Sequence, residues 1–266
     1  MIGGNKNNTM ITIITSGDKN GRMLANLLYD GNIPFKLIIV SYPLPKKLKL
    51  NIRSLKRLLS FILSKSFFLK QLRYINLPAY PLTPIYAGSN NGKKLHKILS
   101  EIEPEYILMM GGGILTSNTI ALASKGVLNV HPGWLPYFRG IDVIRHAILA
   151  EKCIALTAHY IDVGIDTGSI IGIWALPVKD SDTIDMIYDN ADKSSCFLMY
   201  ELCKKINAGE NIYGKIQNEK YKLCRSLTNE EEEKFKVVFS KKIHIMNYMN
   251  AKSTYDIEFN FYPKLF

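Results

Sequence analysis

Between Gly31 and Ser100 the chain contains no Asp or Glu, although thirteen Lys and Arg fall in that stretch. The formal net charge of the whole chain is +11, so the remainder is slightly acidic. A block of one sign concentrates counter-charge around itself, which suits nucleic acid, anionic lipid or a phosphorylated substrate. It equally suits a Lys-rich composition decorating a solvated helix, and the sequence leaves both readings open. Cysteine is scarce as well. Cys153, Cys196, Cys203 and Cys224 are scattered, with no close pair at metal-ligand spacing and none of the density of a secreted disulfide scaffold. They read as reduced thiols in a cytoplasmic protein. No apolar run reaches the roughly 20 residues of a spanning helix, since the most apolar window, 58 to 69, is broken by Lys65. The polar start followed by ITIIT is too short for the apolar region of a signal peptide.

What is present is enough for one large domain, or one domain with a small appendage: 266 residues, 47% of them apolar. The pattern begins strand, loop, helix, strand. MITIIT at 10 to 15 is a β-branched run, MLANLLYD at 23 to 30 has apolar residues at helical spacing, and FKLIIV at 35 to 40 is a second strand. Such a βαβ start predicts an α/β fold with a mostly parallel, twisted sheet flanked by helices. From 43 to 86 the alternation breaks, and the basic segment 46 to 73, with Ile52, Leu55, Leu59 and Ile62 on one face, reads as a helical insertion. After 92 the alternation resumes through strands at 106 to 110, 127 to 130, 153 to 161 and 169 to 176. A long helix follows over 183 to 207, with Ser181 and Asp182 as capping candidates.

Residues 1 to 215 are therefore taken as a catalytic domain and 216 to 266 as a short C-terminal α/β extension. Within the extension, Thr228 and Glu231 form a capping-box pattern. Ile257, Phe259 and Phe261 alternate at period two, which predicts a strand. An apolar strand face must be covered, and a second copy of the chain would cover it, making this tail a candidate dimerisation element.

The stretch NVHPGWLPYFRG, 129 to 140, is chemically unusual. Residues two apart on a strand share a side, so Asn129 and His131 emerge together near the carboxyl end of theirs, the edge where open α/β sheets bind ligands. An amide donor beside an imidazole suits a reaction in which a carbonyl oxygen gains charge and a proton moves. HYIDVGIDTG, 159 to 168, supplies Asp162 and Asp166 as carboxylates able to orient the imidazole. Asp166 is the choice here. A metal held by His131, His159 and Asp166 is not expected, because no ligand pair has the short spacing of a zinc site. Gly111 to Gly113 lack the dinucleotide pattern, so NAD is not expected.

Asn-x-His-Pro, the following LPYFRG and the later DVGIDTG together resemble the signatures of the folate-dependent formyltransferase family. That family includes glycinamide ribonucleotide, methionyl-tRNA and nucleotide-sugar N-formyltransferases. The resemblance covers about 10 to 210 and implies a Rossmann-like formyltransferase fold. It also implies 10-formyltetrahydrofolate as formyl donor and catalytic roles for Asn129, His131 and Asp166. Gly113, Ile114 and Leu115, with Ile161, Asp162 and Val163, are then the cofactor-binding residues. A substrate amine would attack the formyl carbon while Asn129 and protonated His131 stabilise the oxyanion and Asp166 sustains the His charge.

Two departures bear on the acceptor. The family's usual Ser-Leu-Leu after His-Pro is Gly133-Trp134-Leu135 here. The Gly-Ser-Asn turn with which glycinamide ribonucleotide enzymes grip a ribose phosphate is SGDKNGR, 16 to 22. The C-terminal residues are also few for a tRNA-binding barrel. These features favour a nucleotide-linked amino sugar as acceptor, with Ser16, Gly17, Trp134 and Arg139 as candidate substrate contacts. The alternatives are a glycinamide ribonucleotide or methionyl-tRNA formyltransferase, a formyl-folate hydrolase, and a non-catalytic basic binding protein on the same fold. Nucleic acid and membrane are not expected partners of the favoured reading.

Overall fold

The computed structural model describes residues 10–40, 79–111, 113–218 and 221–242. Most of the basic insertion and the whole period-two tail lie outside the described residues. The first βαβ unit forms as the pattern predicts, with β1 (Ile11–Thr15), α1 (Lys19–Asp30) and β2 (Phe35–Val40). β3 (Ile85–Gly88) follows, so residues assigned to the end of the insertion belong to the sheet. Its apolar signal is only four residues long and sits behind a proline-rich run, which is why it reads as loop. Then come α2 (Lys93–Ile102), β4 (Tyr106–Met110), the short α3 (Ser117–Ile120) and β5 (Gly126–His131). β6 (Arg139–Gly140), α4 (Val143–Leu149), β7 (Ala155–Tyr160), β8 (Ile170–Ala175) and α5 (Ile184–Asn207) complete the main body. β9 (Leu223–Cys224) and α6 (Asn229–Ser240) are the described part of the extension.

The main sheet has seven strands in the order β3-β2-β1-β4-β5-β7-β8. All pairings from β3 to β5 are parallel, while β5–β7 and β7–β8 are antiparallel. The chain reverses its direction of travel across the sheet between β1 and β4, and ligands bind outside the carboxyl ends of strands at such a switch point. The loops that leave β1 and β4 there are Ser16–Asp18 and Gly111–Leu115.

Strands covered on both faces must be apolar on both, and β1 and β4 are buried at every position. Ile11, Ile13, Leu37, Leu108 and Leu128 pack with Leu24 and Leu28 of α1 and Ile187 and Met199 of α5. Ile14, Ile38, Ile107, Met109 and Val127 pack with Leu95 and Leu99 of α2 on the opposite face. No helix among the described residues is long and apolar enough to cross a membrane.

Helix ends follow local chemistry. Thr183, rather than Ser181 or Asp182, caps α5 by accepting the Met186 N–H, because Asp182 accepts the Lys179 N–H in the turn before it. The capping box of Thr228 and Glu231 forms at the start of α6. Asp142 ties three helices together. It accepts the Tyr188 hydroxyl of α5 at 2.8 Å and the Leu227 N–H ahead of α6, and it pairs with Arg145 of α4, which also pairs with Glu232 of α6. Asp142 holds a left-handed φ of 59°. Its replacement by Ala leaves the partners unsatisfied and keeps the strain, so we expect a loss of about 2–4 kcal/mol in urea denaturation. Thr228→Ala, which removes only a cap, should cost about 1 kcal/mol.

Candidate functional site

β5 and β7 form the site's rigid wall. Their antiparallel register sets Asn129 directly opposite His159 and His131 opposite Thr157, and residues directly opposite share a face. Four residues from two strands are thereby held side by side. The β7–β8 register slips between Ala158 and His159, the kind of bulge that re-aims a side chain beside a site.

His131 is buried, with 5% of its surface exposed. Its Nε2 lies 2.8 Å from the Phe138 carbonyl, which can only accept, so Nε2 carries a proton. Its Nδ1 lies 3.6 Å from Asp166 Oδ2, close enough for charge attraction but long for a hydrogen bond. Burial lowers the imidazole pKa, while the Asp166 charge and the Phe138 carbonyl oppose that effect. Burial thus works against the charged ring while an oxygen near each nitrogen works for it, an arrangement suited to proton exchange as charge develops nearby. The turn that delivers Phe138 is stapled by Thr157, whose hydroxyl donates to the Gly133 carbonyl at 2.7 Å and accepts the Leu135 N–H. A Cβ at Gly133 would fall 2.6 Å from His131 Nε2 and 2.5 Å from the Phe138 oxygen. Only glycine permits this approach.

His159 is the residue that sequence reasoning left without a role in the favoured mechanism. Its Nδ1 meets the Tyr160 carbonyl at 2.8 Å, which leaves Nε2 to accept from Asn129 Nδ2 at 3.2 Å. That contact fixes the orientation of the Asn129 amide and leaves its second N–H unclaimed by His159. Burial, then the neighbouring His131, pushes the His159 pKa down to about 4. Asp166, with φ 52°, accepts the Gly140 N–H at 2.8 Å through Oδ2, and its Oδ1 is 3.9 Å from His159. Asp162 accepts the Gly164 N–H and the Thr167 hydroxyl, so its side chain shapes the loop.

A cavity of about 160 Å³ opens on this wall. Its lining includes Gly113, Ile114, Leu115, Asn129, His159, Ile161, Asp162 and Asp166. His131 stands behind that lining, and Val163, 71% exposed, lies off it. Trp134 packs instead against Cys153, Ala175 and Tyr137. Arg139 donates from Nε to the Ile165 carbonyl at 2.9 Å and from Nη1 to the Tyr221 carbonyl, bracing the Asp166 loop. A larger cavity of about 270 Å³, between α5 and β8 around Trp174, Glu201 and Tyr213, contains none of the motif residues. Burial pushes the Cys153 thiol up to about 12 and raises Cys196 and Cys203, which removes them as nucleophiles. Among the described residues no group of three His, Cys, Asp or Glu is arranged to hold a metal.

On the other side of the switch point, the Ser16 hydroxyl donates to Asp18 Oδ2 at 2.8 Å, and Asp18 Oδ1 accepts the Gly21 N–H that opens α1. The amino end of α1 is thus filled by the chain's own carboxylate, and Ser16 is committed to it. Next to Gly17, the Arg22 guanidinium stacks 4.6 Å from the Tyr80 ring. Arg22 Nε and the Tyr80 hydroxyl are both buried without a hydrogen-bond partner among the described residues. No sequence pattern links these two, which lie far apart along the chain.

A group whose folded pKa is depressed by burial favours folding while neutral. Stability from His159 is complete above the ordinary imidazole value of 6.5 and is lost as pH falls from there toward about 4. His131 acts in the same direction. Thermal melts should therefore fall between pH 6.5 and 4, and fall less steeply in His159→Gln, whose amide retains an acceptor for Asn129 and a donor for Tyr160.

Known proteins share parts of this sequence and its fold. A methionyl-tRNA formyltransferase of Desulforamulus reducens is 33% identical over 124 residues, 46% of this chain and 39% of the relative. The chain thus matches less than half the length of that curated relative. A sugar N-formyltransferase from a Shewanella species shares the fold over 85% of this chain and 86% of its own, with a TM-score of 0.55 and 16% identity. Glycinamide ribonucleotide transformylase 1 of Symbiobacterium toebii shares it over 79% and 94%, at TM-score 0.54 and 17% identity. The formyl transferase family model matches residues 64–201, a stretch that includes β3 through β8, reaches into α5 and so carries the whole wall of the cavity. By that match the chain belongs to the formyl transferase family.

Proposed function

We propose that the protein is an N-formyltransferase that moves a formyl group from 10-formyltetrahydrofolate to the amine of a nucleotide-linked amino sugar. The observation that carries the reading is the buried His131 between Phe138 and Asp166, with Asn129 held beside it at the wall of a cavity. That cavity fits a flat heterocycle with polar edges, since main chain at 113–115 and 161–166 alternates with apolar Met109, Leu115, Ile161 and Ile165. When bound, the folate supplies the formyl carbon. Asn129, oriented by His159, offers an N–H to the oxygen that gains charge. His131 would take at Nδ1 the proton that the attacking amine gives up, Asp166 would stabilise the resulting cation, and the proton would pass to the nitrogen that leaves as its bond to the formyl carbon breaks.

Two observations favour a phosphorylated acceptor that is not gripped by the amino end of α1. Asp18 occupies that end, whereas Arg22 Nε and the Tyr80 hydroxyl are donors with no partner among the described residues. An Arg and a phenol together suit phosphoryl oxygens. The reach of the Shewanella sugar N-formyltransferase fold over most of both chains is consistent with a sugar acceptor. Methionyl-tRNA is the second reading, favoured by the sequence identity to the Desulforamulus enzyme.

Purified protein given 10-formyltetrahydrofolate and a panel of nucleotide-linked amino sugars should add one formyl mass to at least one of them. Formylation of methionyl-tRNA alone would establish the second reading instead. His131→Ala and Asn129→Ala should each lower kcat by about 100-fold or more, and a loss under tenfold would remove them from the mechanism. Arg22→Gln and Tyr80→Phe should raise KM for the acceptor while kcat holds, the signature of lost uniform binding.

A further inference from the structure

The C-terminal segment reaches back to the Asp166 loop at several points. Lys215 exchanges two main-chain hydrogen bonds with Ile170, at 2.7 and 2.8 Å. The Tyr221 carbonyl accepts from Arg139, and Leu223–Cys224 pairs with Arg139–Gly140, the dipeptide whose Gly140 N–H holds the Asp166 carboxylate. Within this wrap, Gln217 Nε2 donates to the Asp166 carbonyl at 3.1 Å and to the Gly168 carbonyl at 2.7 Å. Both partners are carbonyl oxygens, so the amide can face them only through its nitrogen. Its Oε1 is buried and has no partner among the described residues.

We infer that Gln217 is a positioning residue for formyl transfer: it pins the left-handed Asp166 at the height where its carboxylate meets His131 Nδ1. This rests on the proposed role of His131 and Asp166. Asp166 at φ 52° occupies a conformation that L side chains adopt rarely, and such a conformation persists only where the surroundings over-determine it. Gly140 fixes the carboxylate and Gln217 fixes the main chain of the same residue, so together they set both ends of the side chain. Gln217 gives its donor group to two carbonyls of one loop, the carbonyl of Asp166 itself and that of Gly168. The Asp166–His131 separation is already 3.6 Å, so a small drift of the loop removes the charge that sustains a protonated imidazole.

The test uses Gln217→Glu, which keeps shape but turns an acceptor toward the two carbonyls, together with Gln217→Ala and Gln217→Lys, the last retaining an N–H donor. Two readouts are combined: steady-state formyl transfer across pH, and the NMR titration of the His131 imidazole in the substrate-free protein. We expect kcat to fall ten- to a hundredfold in the Glu and Ala variants, with KM for donor and acceptor within twofold of the parent. The His131 titration should move to lower pH in both as the influence of Asp166 weakens, and Gln217→Lys should recover part of both effects. Unchanged kcat and an unmoved titration in folded Gln217→Glu would overturn the inference. So would a general loss of thermal stability with the His131 titration unmoved in whichever variant folds, because that is the mark of a purely structural role. If formyl transfer itself is absent in the parent, the proposed function fails while the titration still decides whether Gln217 controls the Asp166–His131 pair.

Discussion

Everything in the cavity wall depends on one imidazole kept out of water between two oxygens. Burial disfavours the charge of His131, and the carbonyl and carboxylate that face its two nitrogens favour it, so the ring is set to exchange a proton. Neither oxygen comes from β5. The Phe138 carbonyl arrives through a tight turn stapled by Thr157, and the Asp166 carboxylate arrives on a loop braced by Arg139, Gly140 and Gln217. Much of the chain between β5 and β9 can be read as support for two contacts made by one ring.

The sheet core was legible because its signal is local. Apolar runs such as YILMM and FKLIIV are strands buried on both faces, and they coincide with β4 and β2. Asn129, His131 and Asp166 were legible because a strand-end motif and a glycine-broken loop are unusual enough to stand out. What could not be read is non-local. The pairing of His159 with Asn129 is set by the antiparallel register of two strands 30 residues apart. Gln217 lies 51 residues from Asp166, and the Arg22–Tyr80 stack joins residues far apart along the chain. A residue whose importance lies in its partner gives no sign of it in its neighbours. Trp134 illustrates the converse: an aromatic inside a functional motif drew attention as a substrate contact, yet its ring packs against Cys153 and Ala175.

In the proposed function the acceptor meets side chains at the switch point, because Asp18 closes the helix end. Main-chain amides at a helix start would grip any anion of the right size. An Arg and a Tyr confer a geometry that depends on two particular side chains, so acceptor choice can change without disturbing the sheet. The cavity beside Asn129, in contrast, draws on glycines and apolar side chains as well as polar ones.

Gly133 bears on how relatives of this chain should be compared. With no room for a single carbon between its main chain, the His131 ring and the Phe138 carbonyl, the chain's resting hydrogen bond is written into that position. A protein with serine there must seat its imidazole or the facing carbonyl elsewhere. Two signatures that look almost alike in an alignment therefore describe two different idle states of the same histidine, and superposing their backbones would hide the difference.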